Sequence, residues 1–188
     1  MMGCLGFATR PDDRPSARME IPLFPLNTVL FPGGRLPLRI FEQRYLDMAA
    51  ACMKDELLFG ICLIATGEEA GSIAEPHPVG TLARIVDWEM EQLGLLQVTA
   101  RGEQRFRIIG KAVGPINLLQ AEVELIDDVG PLPVPHERQR LVHLLRRIAG
   151  EMGPAHIPEP HRYDDAEWVG YRITEILPVH NLAKQKLL

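Results

Sequence analysis

Ile21-Pro22-Leu23-Phe24-Pro25-Leu26-Asn27-Thr28-Val29-Leu30-Phe31-Pro32-Gly33-Gly34, followed by Leu36-Pro37-Leu38-Arg39-Ile40, is apolar enough to be core, yet its prolines forbid a helix. Pro22, Pro25, Pro32 and Pro37 each lack a backbone donor and push the residue before them into the extended region. The path is therefore extended. Pro32-Gly33-Gly34 reads as a turn between strand-like runs at Ile21 to Phe24, Val29 to Phe31 and Leu36 to Ile40. Phe24, Leu26, Phe31 and Ile40 are expected in the core. The pattern then changes. Phe41, Tyr45, Met48, Ala49 and Cys52 recur at spacings of three and four, which lays one apolar face along a helix over about residues 41–54.

Working outward, Leu57 to Ala65 reads as a strand covered on both faces, and Gly67 to Pro78 as a polar loop. Gly80 to Trp88, Leu95 to Ala100, Gln104 to Ile109 and Leu118 to Ile126 read as further strands. Short strands at this spacing fit a barrel or a sandwich better than a parallel α/β sheet. Asp127 to Pro135 has the prolines of a linker. Beyond it, Arg138 to Met152 puts Leu141, Val142, Leu145, Ile148, Ala149 and Met152 on one helical stripe. Asp164 with Glu167 reads as a capping box for a helix reaching Ile176, and Asn181 as the cap of a last short helix. The expected division is a flexible leader (1–18), a barrel portion with one inserted helix (19–128) and a helical portion (129–188).

The chain has 188 residues, 46% hydrophobic and 24% charged, with a formal net charge of −5. That sign disfavours a general binder of nucleic-acid phosphates. Sixteen arginines stand against four lysines, a bias that base composition of the genome explains unless the arginines cluster. Cys4, Cys52 and Cys62 share no metal-ligand spacing and make a disulfide framework unexpected. No apolar run approaches the roughly 20 residues that span a bilayer. In the leader the charges follow the patch Leu5 to Ala8, the wrong order for a signal peptide. The expectation is a soluble, cytoplasmic protein.

Catalytic chemistry finds little footing. The only serines are Ser16 and Ser72, and Ser72 lacks the G-x-S-x-G elbow. Gly110-Lys111 has no glycine five positions earlier, so no phosphate-cradling loop exists there. His136 and His143 lie about two turns apart on a helix, too far to share one ion. His156, His161, Asp164 and Asp165 form the densest set of possible ligands, within a proline-rich loop where solvated side chains are the plainer reading. Glu68-Glu69, Asp127-Asp128 and Asp164-Asp165 are sequential pairs, as turns and helix starts favour. Cys52 and Cys62 read as small core residues. Neither metal nor cofactor is expected.

The run Ile21 to Gly34, continuing from Leu36 to Met48, closely resembles the opening signature of the Lon protease N-terminal (substrate-binding) domain family. Phe59-Gly60-Ile61, Gly80 to Ile85 and Gly102 to Ile108 agree in order, as do Trp168, Leu177-Pro178 and Lys184 to Leu188. Gln43 and the Gln92-Leu93-Gly94 turn depart from the usual pattern. The resemblance covers about residues 20–188 and implies an α+β protein: a PUA-like β-barrel (pseudobarrel) followed by a small C-terminal α-helical bundle. It also implies a non-catalytic recognition module without motor or peptidase, possessing a surface for unfolded or partly folded polypeptides or a protease partner. Such a module would act as an adaptor in protein quality control. The candidate surface is Arg39, Glu42, Arg44 and Tyr45, an aromatic anchor with arginines for carboxylates. The structural alternative pairs Arg39 with Glu42 across the strand–helix junction, over a packed Tyr45. A second function, RNA binding by a PUA-like domain, needs a basic face at Arg101, Arg105 and Arg107. A third, a hydrolase, would use the loop from His156 to Asp165.

Overall fold

A computed structural model describes residues 17–188 apart from Ser72, Leu93, Val129 and Ala155. Most of the expected leader (residues 1–16, with Cys4 and Ser16) and the serine at position 72 lie outside the described residues. Seven strands precede most of the helical structure: β1 (Arg18–Leu26), β2 (Arg35–Ile40), β3 (Phe59–Thr66), β4 (Glu75–Pro76), β5 (Val79–Gln92), β6 (Leu95–Val113) and β7 (Leu119–Leu125). The helices are α1 (Gln43–Asp55), α2 (Gln139–Met152), α3 (Ala166–Ile176) and α4 (Asn181–Gln185). The protein is α+β, with its helices mostly gathered after the sheet. Among the described residues no helix is long and apolar enough to cross a membrane.

β1 decides the closure. Its first half pairs antiparallel with β7, Arg18 opposite Glu124, and its second half pairs parallel with β3, Leu23 opposite Gly60. β7, β6, β5 and β3 pair antiparallel in turn, so the path returns to β1 and encloses a near-barrel ring. Ile21, Leu23, Cys62, Leu82, Phe106, Leu119, Ala121 and Val123 form one buried cluster of this ring. The Phe106 ring lies so close to Gly60 and Gly80 that a Cβ on either would come within 2.7 or 2.8 Å of its Cζ. Glycine is used there for close approach.

β2 stands off the ring and pairs with the first half of β6, from Arg35 opposite Arg101 to Ile40 opposite Leu96. Its inner residues join α1 through Ile40, Tyr45, Met48, Ala49 and Cys52, a second cluster that includes Phe24, Phe59 and Val98. The spacing of three and four thus buries the helical face expected, but the helix starts at Gln43, and Phe41 stays outside it. α1 ends on Glu56 in the left-handed region, φ 52°.

Four expectations change, the first being that His180 and not Asn181 stands at the N-cap of α4. Val29 to Phe31 is not a strand: Val29 and Phe31 are buried because they pack under Tyr171 of α3, with Leu63. The expected strands 95–100 and 104–109 are one strand, β6, irregular in its pairing where Gly102 comes against Phe31. The cap of α3 is Asp165 and not Asp164; its carboxylate accepts from the Glu167 N–H at 3.1 Å, an N-cap contact within the first turn.

Val142, Leu145 and Ala149 of α2 pack on Trp168 and Val169 of α3, with Ile157 between. α3 is fastened to the barrel by Arg172, whose side chain is 0% exposed. Its Nη2 donates to the Pro32 carbonyl (2.9 Å) and to Glu175 Oε1 (2.8 Å). Its Nε lies 2.8 Å from Glu175 Oε2, without the alignment of a hydrogen bond. Gly33 (φ 73°) and Gly34 make room: a Cβ on Gly34 would strike Glu175 Oε1.

Burial raises the Glu175 carboxyl from 4.5 to about 7, against the pull of Arg172 and Lys184. The folded state therefore binds this proton more tightly than the unfolded chain. Its contribution to stability is complete below about pH 4.5 and lost as pH rises through about 7, with a span of at most about 3 kcal/mol. Thermal melts from pH 5 to 8 should show wild type losing stability relative to Glu175→Gln. Parallel curves for the two proteins would refute this.

Candidate functional site

The groove between β2 and the start of α1 gathers three of the four residues expected at a peptide surface. Arg39, Glu42 and Tyr45 line a cavity of about 400 Å³ with Phe24, Leu36 and Leu38. Phe41, 63% exposed, stands on its rim, and Glu69 closes the other end by accepting from the Asn27 N–H. Tyr45 is mostly buried, its ring stacked on Phe24 at 4.1 Å between centroids. Burial also raises its phenol above the usual value, with Arg44 pulling the other way and Glu42 adding to the rise.

Arg44 does not share the groove. It is buried, donates from Nη1 to the Asn117 carbonyl at 3.1 Å, and pairs through Nη2 with Glu42 at 2.9 Å. Its guanidinium carbon lies 4.7 Å from the Tyr45 ring centroid. The expected Arg39–Glu42 pair is therefore corrected. The alternation of β2 leaves Arg39 exposed and Ile40 inside, and Glu42, at the N-cap of α1, is held by Arg44 instead. What the groove can offer a ligand is an apolar floor, an exposed aromatic rim, and one arginine.

β2 pairs with β6 alone among the described residues, so its other edge carries no strand. Pro37 fits that position, since an edge strand tolerates a missing donor. Spacing puts Phe41 on the helix face, but the helix starts at Gln43 and leaves Phe41 exposed. Nothing in the sequence signals the Glu69 approach.

Two of the three arginines expected at an RNA face have carboxylate partners. Arg101 is bound to Glu103, its Nη2 2.7 Å from Oε1. Arg105 is largely buried; its Nη2 lies 3.1 Å from Glu167, and its Nη1 donates to the Leu188 carbonyl at 3.0 Å. Arg107 alone of the three is both exposed and without a carboxylate partner among the described residues. The strand places Arg105 against α3, so it fastens the helices to the barrel.

The loop from His156 to Asp165 is packed at Ile157, Pro158 and Asp165, while His156 and Asp164 stay exposed. His161 Nε2 contacts the Ile157 carbonyl at 3.2 Å, and its ring lies against Tyr163 and Trp168. Arg162 pairs with Asp165 at 3.5 Å. Burial pushes the Cys52 and Cys62 thiols up to about 11 and about 12, which keeps both protonated at neutral pH and makes them poor nucleophiles.

A ring of strands with an outlying edge strand, a helix over it and a fastened helical annex defines the α+β barrel class to which this protein belongs. The description "ATP-dependent protease La (LON) substrate-binding domain" matches residues 20–188. A crystal structure of a Lon N-terminal domain protein from Xanthomonas campestris is similar, with 32% identity, a TM-score of 0.73, and 89% of this chain and 88% of that one covered. The N-terminal domain of a Mycobacterium avium complex Lon protease has the same fold at 19% identity and a TM-score of 0.56, with 89% and 88% covered. Lon protease 1 of Bdellovibrio bacteriovorus is 28% identical over 135 residues, 70% of this chain and 17% of that protein. Lon protease of Anaeromyxobacter dehalogenans is 30% identical over 110 residues, 57% and 13%. The chain thus spans less than a fifth of the length of these two full-length Lon proteases. It belongs to the LON substrate-binding domain family.

Proposed function

We propose that this chain is a non-catalytic recognition module that holds extended stretches of unfolded polypeptide in the groove between β2 and α1. It acts as an adaptor in cytoplasmic protein quality control, presenting what it holds to a protease. The observation that carries this reading is the apolar groove beside an unpaired strand edge, rimmed by an exposed phenylalanine. An extended peptide can add to such an edge through its backbone while its side chains fill the pockets. The substrate-binding description of the family supports this reading, and burial keeps the Cys52 and Cys62 thiols protonated.

Phe41→Asp tests it, because an exposed residue can be changed at little cost to folding. Immobilised wild type should retain an unfolded bait, such as a reduced and alkylated protein, over the same protein folded. Phe41→Asp, which puts a charge on the apolar rim, should weaken that retention about threefold. Equal retention of folded and unfolded bait would end the proposal.

A further inference from the structure

Three arginines from three strands stand abreast. Arg101 of β6 is the direct ladder partner of Arg35 in β2 and of Arg84 in β5. Directly opposed residues of an antiparallel pair share one face, with Cβ atoms roughly 4.5–5.5 Å apart, and like charges placed so repel. One carboxylate answers them. Glu103 Oε1 lies 2.7 Å from Arg101 Nη2 and 3.6 Å from Arg84 Nε. Arg84 also donates from Nη1 to the Glu56 carbonyl at 3.2 Å. Arg35 is exposed and has no carboxylate in ion-pair reach among the described residues. The row lines a cavity of about 600 Å³ between barrel and helices, with Arg162, itself 3.5 Å from Asp165, on the helical side and Asp128 and Glu159 also on its wall.

Four arginines line the cavity against the carboxylates of Glu103, Asp128 and Glu159, and among the described residues only Glu103 is within ion-pair reach of the row. The row can therefore accept another oxyanion, since guanidinium forks bind carboxylates in bidentate fashion. The cavity also has apolar wall from Leu58, Leu82 and Pro158, which suits the side chains that flank an acidic residue. Its one aromatic residue, Trp168, is 3% exposed, so a nucleic-acid base finds no ring to stack on. We infer that the Arg35–Arg101–Arg84 row is an oxyanion subsite that takes the carboxylates of an acidic polypeptide segment. The inference rests on the recognition reading above and names which clients are preferred: those carrying Glu, Asp or a free C-terminus near their apolar stretch.

Fluorescence anisotropy with the full chain at low salt tests it. The probes are a dye-labelled decapeptide of alternating Glu and Ala with a free C-terminus, its Gln counterpart, and a labelled oligouridine. Wild type should bind the Glu peptide at least tenfold tighter than the Gln peptide. The double variant Arg35→Gln, Arg101→Gln should lose that preference. Arg35→Gln alone, at an exposed side chain, should lose about threefold and covers the case in which the double variant fails to fold. The inference is overturned if the two peptides bind alike, if the variants keep the preference, or if oligouridine binds tighter than the Glu peptide. Unfolded bait should still be retained by the double variant through the Phe41 groove. Wild type that retains no unfolded bait sinks the recognition reading, whereas retention without a Glu preference sinks the subsite alone.

Discussion

Arg172→Ala should lower the thermal midpoint by roughly 10 °C at pH 8. The guanidinium is fully buried and ties the Pro32 carbonyl of the barrel to Glu175 of α3. Removing one partner of a buried pair leaves the other charge uncompensated, which typically costs about 3–5 kcal/mol. For a chain of this size each kcal/mol is about 2–4 °C. Arg172→Met, which restores much of the volume, should recover part of the loss but leave the Pro32 carbonyl without its donor. Differential scanning calorimetry decides the matter, and a fall of under 2 °C would show that the pair contributes little to holding α3 on the barrel.

Phe106→Ala should cost about as much by a different route. Phe106 is also fully buried, within the ring, and Gly60 and Gly80 leave it no slack. The cavity has walls of backbone there, which cannot collapse inward as side chains do, so the upper part of the usual 3–5 kcal/mol for Phe→Ala, about 4–5, is expected. Urea unfolding measures it. A loss under 2 kcal/mol would mean that the strands close on the space after all.

Much of this fold was legible because it is written locally. The prolines of β1 and β2 exclude a helix by themselves, and Tyr45, Met48, Ala49 and Cys52 declare the buried face of α1. What failed is what depends on partners. Val29 and Phe31 are apolar for the sake of Tyr171, about 140 residues on, and resemble a strand only by composition. β6 looked like two strands because Arg101-Gly102-Glu103 is polar and small, as a turn would be, whereas Gly102 serves a close approach to Phe31. The candidate groove was half legible: Arg39, Glu42 and Tyr45 lie together, yet Glu42 chose Arg44. The arginine row was not legible at all, since Arg35, Arg84 and Arg101 become neighbours only once strand register is fixed.

The order in which β1 finds its neighbours has a consequence during synthesis. β1 is made before the other described strands, but its parallel partner β3 follows about 40 residues later and β7 about a hundred, which at roughly 5–20 residues per second is several seconds. Through that interval Ile21, Leu23 and Phe24 have none of the strands that cover and pair with them in the folded chain. A nascent copy of this protein is then itself the kind of polypeptide that its finished groove is proposed to hold.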